Sequence, residues 1–142
     1  MNLILGTKSG DDDVVFAVPV SRLLAICPIH ESNPWGVRDI LRQDIQDALD
    51  NNLLCPPDGD EYAGFETDVG RVAWFVRHSW RDPISLDVGV PELGCYVDHP
   101  VLDGNHRLMT AWFRGDPHIS ANVCGGLQHI RATLGLEFPS VD

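Results

Sequence analysis

The amino-acid sequence predicts an α+β fold, a small mixed sheet with about four helices. The chain has 142 residues, the length of one domain, so we expect a single domain over 1–142. Short runs of Val, Ile and Leu lie between turn residues, which is typical of strands, while longer segments carry apolar residues at helical spacing. Because 44% of the residues are hydrophobic, we expect a packed core and exclude a disordered chain.

The N-terminal part is expected to contain two strands and two helices. Leu3–Leu5 and Val14–Val18 are the predicted strands. A short helix is predicted over Val20–Ile26, where Pro28 ends it. The range 37–50 gives the clearest amphipathic helix, because its apolar residues form one stripe at helical spacing.

A loop and another amphipathic helix follow. Cys55–Gly64 is rich in Pro, Gly and acidic residues, so an exposed loop is expected. A helix then extends to Trp80, with Asp68 as the residue that caps its N-terminus. We interpret the segment of about 55–80 as an insertion within the single domain.

The C-terminal part is expected to alternate between extended segments and helices. The predicted extended segments are Pro83–Gly89, Cys95–Val97, Pro100–Asp103 and Ile119–Val123. The two predicted helices are Asn105–Arg114 and Gly126–Leu134. A glycine follows each of them, which is typical of helix C-termini.

Charge and cysteine usage exclude several classes of protein. The chain has 21 Asp and Glu residues against 10 Lys and Arg residues, and its formal net charge is −11. Phosphate backbones repel such a surface, so we expect no DNA binding, whereas a basic protein partner is compatible with it. No apolar run approaches the ~20 residues of a membrane span, so no membrane association is expected. Four widely spaced cysteines without a Cys-x-x-Cys pair indicate reduced thiols and a cytoplasmic location.

The most informative stretch, 101–108, predicts a strand, a tight glycine turn and a helix start. A helix N-terminus favours an anion, because its first N–H groups have no partner within the helix. Gly104 allows the backbone to approach a ligand, and Arg107 in the first turn can bind phosphate oxygens with two hydrogen bonds. Asp103 could cap the helix, orient His106 or hold Mg²⁺ beside a phosphate. An ordinary N-cap, turn and surface arginine would give the same pattern.

The same residues resemble a known motif. Residues 102–107 read Leu-Asp-Gly-Asn-His-Arg, with Ala111 and Gly115-Asp116 behind them, and they resemble the motif of the ParB/sulfiredoxin superfamily. The resemblance implies that superfamily's fold, and it implies that Gly104, Asn105, His106 and Arg107 bind the phosphates of ATP, ADP or CTP. The Asp-Gly-x-His-Arg form is most similar to the ADP-dependent free-serine kinase branch. Asn105 stands where sulfiredoxins carry their catalytic cysteine, so sulfinic-acid reduction is not expected.

A second similarity lies upstream, where Val18–Leu24 followed by Pro-Ile-His-Glu at 28–31 is similar to the opening of that superfamily. In the serine kinases an acidic residue in this loop is the general base toward the substrate hydroxyl, so the resemblance implies that role for Glu31. Glu31, Asp103 and His106 are then the expected catalytic residues. A solvated loop carboxylate is the alternative interpretation of Glu31.

Two other groupings of side chains have simpler interpretations. One could form a metal cluster, although it lacks the i, i+4 spacing of zinc ligands on a helix: Asp98, His99, Asp103 and His106. The other follows one predicted helix among acidic residues, a pattern that favours a solvated surface: Arg71, Arg77 and Arg81.

Three functions therefore stay open. The first is a nucleotide-phosphate-binding protein, a small phosphotransferase or nucleotide hydrolase that uses ATP, ADP or CTP with Mg²⁺. The second is a catalytically inactive acidic module of the same fold that binds a basic protein. The third is a ParB-like nuclease, which the net charge of −11 disfavours.

Overall fold

The computed structural model describes residues 15–28, 39–59 and 64–136, and its contacts divide the chain into two compact units. The first unit contains the described residues up to Cys27, Asp82–Gly104, and the described residues from Pro117 onward. The second contains the described residues between Pro28 and Arg81, together with Asn105–Asp116. Each unit is therefore assembled from segments that are separated in the sequence.

The described residues form four strands, five α-helices and a short 3-10 turn. In chain order these are β1 Val15–Pro19, α1 Val20–Ile26, α2 Arg42–Asp50, α3 Phe65–His78, β2 Ile84–Asp87, the 3-10 turn Pro91–Leu93, β3 Val101–Asp103, α4 Asn105–Arg114, β4 His118–Cys124 and α5 Leu127–Leu134. This confirms the predicted α+β class. The bounds of α1 and α4 are those predicted, while the predicted strand Leu3–Leu5 lies outside the described residues.

The first unit is built on a mixed sheet with the strand order β1-β4-β2-β3. Strand β4 is antiparallel to β1 and parallel to β2, and β3 is antiparallel to β2. Phe16 and Ile84 are both in register with Ala121, and all three are buried. Because side chains alternate between the faces of a strand, this shared row defines the buried face of the sheet.

Helices α1 and α5 of the first unit pack against each other. Leu23 of α1 and Leu134 of α5 are fully buried. The first helix begins directly after β1, where the Val20 N–H donates to the Pro117 carbonyl at 3.0 Å. This bond joins the start of α1 to the chain that leads into β4.

The second unit consists of α2, α3 and α4, with α3 packed against both of the others. Its buried apolar side chains are Ile40, Ile45, Ala48, Val69, Val72, Ala73, Phe75, Leu108, Met109 and Ala111. Two arginines satisfy carbonyl groups at helix ends. Arg42 donates to Phe113 O at 2.9 Å and lies 4.3 Å from the centre of the Trp112 ring, so it joins α2 to α4. Arg77 donates to Leu49 O at 2.9 Å, which joins α3 to α2.

The amphipathic helix predicted over 37–50 begins only at Arg42. Residues 39–41 are not helical, and 37–38 lie outside the described residues. The Leu41 N–H donates to the Asp44 carboxylate at 2.7 Å, and this bond caps the helix at that point. Leu41, one of the apolar residues in the range 37–50, is 57% exposed.

The role predicted for Asp68 as a helix cap is wrong. Helix α3 begins three residues earlier, at Phe65, and Gly64 occupies the N-cap position. The Asp68 N–H already donates to Gly64 O at 2.9 Å, within the helix. The helix also ends at His78 rather than Trp80, because Ser79 turns to a φ of 59°. The Asp68 side chain therefore does not cap the helix and lies buried instead.

Gly125 provides a test of how closely the backbone packs in the first unit. Gly125 has a φ of +130°, and a Cβ there would lie 2.7 Å from Gly89 O. Gly94 also has a positive φ, of +75°, but a Cβ added there would have nothing within 4 Å.

We expect Gly94→Ala to lower the free energy of unfolding by about 1–2 kcal/mol, the cost of a side chain on a left-handed backbone alone. Gly125→Ala should lower the free energy of unfolding further, since it adds a collision with backbone. Urea denaturation of both variants measures this, and equal losses would contradict the described packing.

Candidate functional site

The stretch that the sequence singled out folds as predicted, as a strand, a glycine turn and a helix. Strand β3 ends at Asp103, and α4 begins at Asn105. Gly104 between them has a φ of +117°, a backbone conformation that L side chains rarely adopt. Asp103 and Gly104 belong to the first unit, whereas Asn105, His106 and Arg107 belong to the second.

His106 forms the central contact of the second unit's candidate site. Its Nε2 atom lies 2.9 Å from Oδ1 of Asp68 on α3. The Asp68 side chain is 4% exposed and that of His106 is 20% exposed. A carboxylate oxygen only accepts hydrogen bonds, so we assign the hydrogen to Nε2. In the neutral ring, Nδ1 is then the acceptor nitrogen.

Burial lowers the pKa of His106 below its ordinary value of 6.5. The hydrogen bond and the negative charge of Asp68 raise this pKa, but they only partly offset the burial. The positive charges of Arg71 and Arg107 lower it further. His106 is therefore a neutral ring at pH 7, held by a carboxylate and lying near two guanidinium groups.

Thr110 fixes the first turns of α4 against α3. It is fully buried, and its hydroxyl lies 2.8 Å from the carbonyl oxygen of His106, one turn earlier. The same hydroxyl is 3.3 Å from the carbonyl oxygen of Val72 on α3. Because the hydroxyl has one hydrogen, it donates mainly to the closer His106 carbonyl, and the Val72 carbonyl shares that hydrogen at the longer distance.

Arg71 departs from the solvated surface that the sequence predicted. Its Nε atom is buried and has no hydrogen-bond partner, while Arg77 and Arg81 are exposed as expected. Arg71 lies three residues after Asp68, so both side chains project from neighbouring positions on one face of α3. The charge of Arg71 acts on His106, whose pKa it lowers.

The other predicted site residues are placed as follows. Asn105 and Arg107 are half-buried in the first turn of α4, and Asp103 is exposed at the end of β3, in register with Ser85. Glu31 lies outside the described residues. Within the described ranges no group of three or more His, Cys, Asp and Glu side chains is placed to hold a metal ion, so the four-residue metal cluster does not form there.

The structure adds Asp68 and Arg71, which sequence reasoning did not assign to the site. A signal for Asp68 exists, because an acidic residue within the apolar run Val69, Val72 and Ala73 cannot stay buried without a partner. The sequence contains no indication of which residue that partner is. The pairing with His106 joins positions 38 residues apart.

A cysteine–histidine contact in the first unit is less suited to catalysis. The Cys27 sulfur lies 3.7 Å from Nδ1 of His99. Burial raises the pKa of the Cys27 thiol, and a hydrogen bond with the backbone of Val101 lowers it only in part. Because the thiolate is the nucleophilic form, this environment disfavours reactivity. All four cysteines are free thiols, as the sequence predicted.

Asp68→Ala tests whether the buried contact stabilises the second unit. It leaves a buried imidazole N–H without an acceptor, so we expect a loss of about 1–3 kcal/mol in the free energy of unfolding. Asp68→Asn retains an acceptor oxygen and should lose less. Glu66→Gln, an exposed change in the first turn of the same helix, is the matched control and should stay within ~0.5 kcal/mol of wild type. Chemical denaturation measures all three, and an Asp68→Ala variant as stable as the control would refute the contact's role.

The lowered pKa of His106 predicts a pH dependence of stability with a definite sign. As the pH falls below 6.5, the unfolded chain binds a proton at this histidine while the folded protein does not. The free energy of unfolding should therefore decrease from pH 6.5 downward until the folded pKa is reached, and this contribution is constant above that window. His106→Gln removes the titration, so its stability should decline less steeply over the same range. If the stabilities of wild type and His106→Gln fall in parallel as the pH decreases, the lowered pKa of His106 is contradicted, because the two proteins have all other histidines in common.

Comparisons with known proteins identified no relative of this chain. No protein-family model, curated protein or solved structure matches the chain. None of the described helices combines the length and apolar character that crossing a bilayer requires. The side chains around His106 are therefore the basis on which a function can be assigned.

Proposed function

We propose that the protein binds the phosphates of a nucleotide, ATP, ADP or CTP, at the start of α4. The observation that carries this proposal is the local concentration of positive charge around His106. Arg71 and Arg107 both act on this ring, together with the carboxylate of Asp68 that holds it. The first N–H groups of α4 add the positive end of a helix dipole.

The distribution of arginines supports the same conclusion. The chain has only 10 Lys and Arg residues, and several are committed to structural contacts. Arg42 and Arg77 bind helix-end carbonyls, and Arg114 pairs with Asp116. In a chain with a net charge of −11, two guanidinium groups whose charges both act on His106 are a local concentration of positive charge.

The chemistry we infer is phosphoryl transfer or nucleotide hydrolysis. A neutral His106, oriented by Asp68, can accept a proton at Nδ1 from an attacking hydroxyl or water. Arg107 and Arg71 would neutralise negative charge on the phosphates, which is most of what this class of reaction requires. Gly104 and Asn105 would contribute backbone N–H groups. Glu31 is the alternative proton acceptor, the general base that the resemblance implies.

Magnesium fits this proposal as an ion that enters with the phosphates. Asp103 supplies a single exposed carboxylate, and Mg²⁺ is commonly bound by one or two carboxylates together with substrate phosphates. When bound, the ion would neutralise phosphate charge. The proton acceptor and the guanidinium groups belong to this chain.

An acidic cavity favours a second candidate function, the binding of a basic protein. The second unit contains a cavity of about 560 Å³ between α2 and the start of α3. Three carboxylate side chains line it, those of Asp44, Asp47 and Glu66. Such a lining is complementary to a basic side chain with an apolar stem, the chemistry expected of an acidic interaction module.

Nucleotide binding is tested by thermal and chemical denaturation with ATP, ADP and CTP, each with and without Mg²⁺. A ligand at 100 times its dissociation constant should add about 2.7 kcal/mol to the free energy of unfolding. Arg107→Ala should abolish this gain because it removes a phosphate ligand. Arg81→Ala is the matched control, since Arg81 is an exposed arginine of the same unit, and it should retain the gain.

The outcome separates the two candidates. Stabilisation of wild type and Arg81→Ala, lost in Arg107→Ala, supports the nucleotide site. If millimolar nucleotide stabilises none of the three proteins, the proposal of a nucleotide-binding protein is wrong and the acidic module is favoured.

A further inference from the structure

One border of the first unit's sheet is formed by residues 95–103, which we name the edge segment. It lies antiparallel to β2 and to the residues that follow β2. Its pairing begins at Cys95, which bridges to Val90, and ends at Asp103, which is in register with Ser85. Strand β3, at the end of the edge segment, is the last strand of the sheet that the described residues form. An edge strand presents backbone N–H and C=O groups that can pair with another extended chain.

Large apolar side chains on and beside the edge segment are exposed to solvent. Leu102, within β3, is 60% exposed, and Tyr96 is 77% exposed. Leu93, in the 3-10 turn directly before the edge segment, is also 77% exposed. Single exposed apolar residues are ordinary on a protein surface, but these three lie along one border of a sheet. A strand added at this border would cover part of their surface, because side chains of neighbouring strands lie next to one another.

The charge of the same region determines which partner it fits. The stretch Asp82–Gly104 contains no lysine or arginine. Its acidic residues are Asp82, Asp87, Glu92, Asp98 and Asp103. Of these, Glu92, Asp98 and Asp103 are exposed. Such a surface attracts a basic segment and repels an acidic one. Two copies of this chain, each with a net charge of −11, would bring the same carboxylates together, so charge opposes pairing between copies.

We propose that the edge segment binds an extended, basic segment of another protein as an additional strand of the sheet. Backbone hydrogen bonds to β3 provide the pairing. Because side chains alternate between the two faces of a strand, a partner with alternating basic and apolar residues offers one face of each kind. Its apolar face covers Leu102 and Tyr96, and its basic side chains lie among the exposed carboxylates.

This site differs from the two that belong to the second unit, the start of α4 and the acidic cavity. The inference does not depend on nucleotide binding. The cavity would accept one basic side chain, whereas the edge segment pairs with a backbone. Removal of the backbone donors of a peptide therefore distinguishes the edge segment from the cavity.

The test uses a synthetic peptide of about eight alternating arginine and valine residues, a usual strand length, blocked at both ends. It is titrated into the full chain without nucleotide. Wild type should bind it, with an affinity that falls as the salt concentration rises. The same peptide with every backbone nitrogen methylated retains its side chains and charge, and it should bind about tenfold more weakly or worse. A glutamate–valine peptide of the same length should not bind. Equal affinity for the methylated and unmodified peptides would refute strand addition.

Three exposed leucines provide matched variants. Leu102→Arg adds a positive charge to the edge segment, so it should weaken binding of the arginine–valine peptide about tenfold or more. Its unfolding temperature should equal that of wild type, because the Leu102 side chain is exposed. Leu41→Arg adds the same charge to an exposed position of the second unit and should bind as wild type. Leu53→Arg adds it to the lining of the acidic cavity and should also bind as wild type. Weakened binding in Leu53→Arg alone would locate the peptide in the cavity and overturn the proposal.

Sedimentation of wild type and Leu102→Arg without peptide tests whether a second copy occupies the edge segment. The two proteins should have the same oligomeric state. A wild-type dimer that dissociates in Leu102→Arg would identify a second copy as the occupant and overturn the proposal of a basic partner. Wild type that does not bind the arginine–valine peptide would also overturn it. Nucleotide binding is tested separately by Arg107→Ala, so either proposal can fail without the other.

Discussion

The second unit depends on one buried carboxylate. Asp68 is only 3% exposed, and a carboxylate that is removed from water needs a hydrogen-bond donor inside the protein. His106 is that donor, so the demand of one residue on α3 determines the orientation of the ring on α4. Thr110 and Arg42 hold the same helix through its backbone carbonyls. Because His106 is fixed, the first turn of α4 is held in place, and this turn also contains Arg107, the next residue in the chain.

Two sides of α3 carry opposite electrostatic character. Phe65, Glu66, Thr67 and Val69 line the acidic cavity that α3 shares with α2. Asp68 instead contacts His106 on α4, and the positive charges of Arg71 and Arg107 act on this ring. The strongly negative net charge therefore does not describe the whole surface of this unit. A local excess of arginine can attract an anion even though the chain as a whole repels polyanions.

The neutrality of His106 has both a structural and a chemical consequence. A protonated ring would add a charge to a buried setting that already contains two guanidinium groups, and burial is the main reason why its pKa is low. A neutral ring leaves a nitrogen that can accept a proton, while Nε2 holds Asp68. The same burial that makes the pair costly to assemble thus keeps the His106 ring uncharged at neutral pH.

Features that depend on neighbouring residues followed from the sequence alone. The bounds of α1 and α4 and the glycine turn at Gly104 were predicted from apolar spacing, proline and glycine, which act over a few residues. The start of α2 was missed because a side-chain hydrogen bond from Asp44, not periodicity, sets it. The role of Asp68 and the burial of the Arg71 Nε atom are apparent only in the folded chain. Their environment is created by a helix about forty residues away in the sequence, and local patterns do not record which helices pack together.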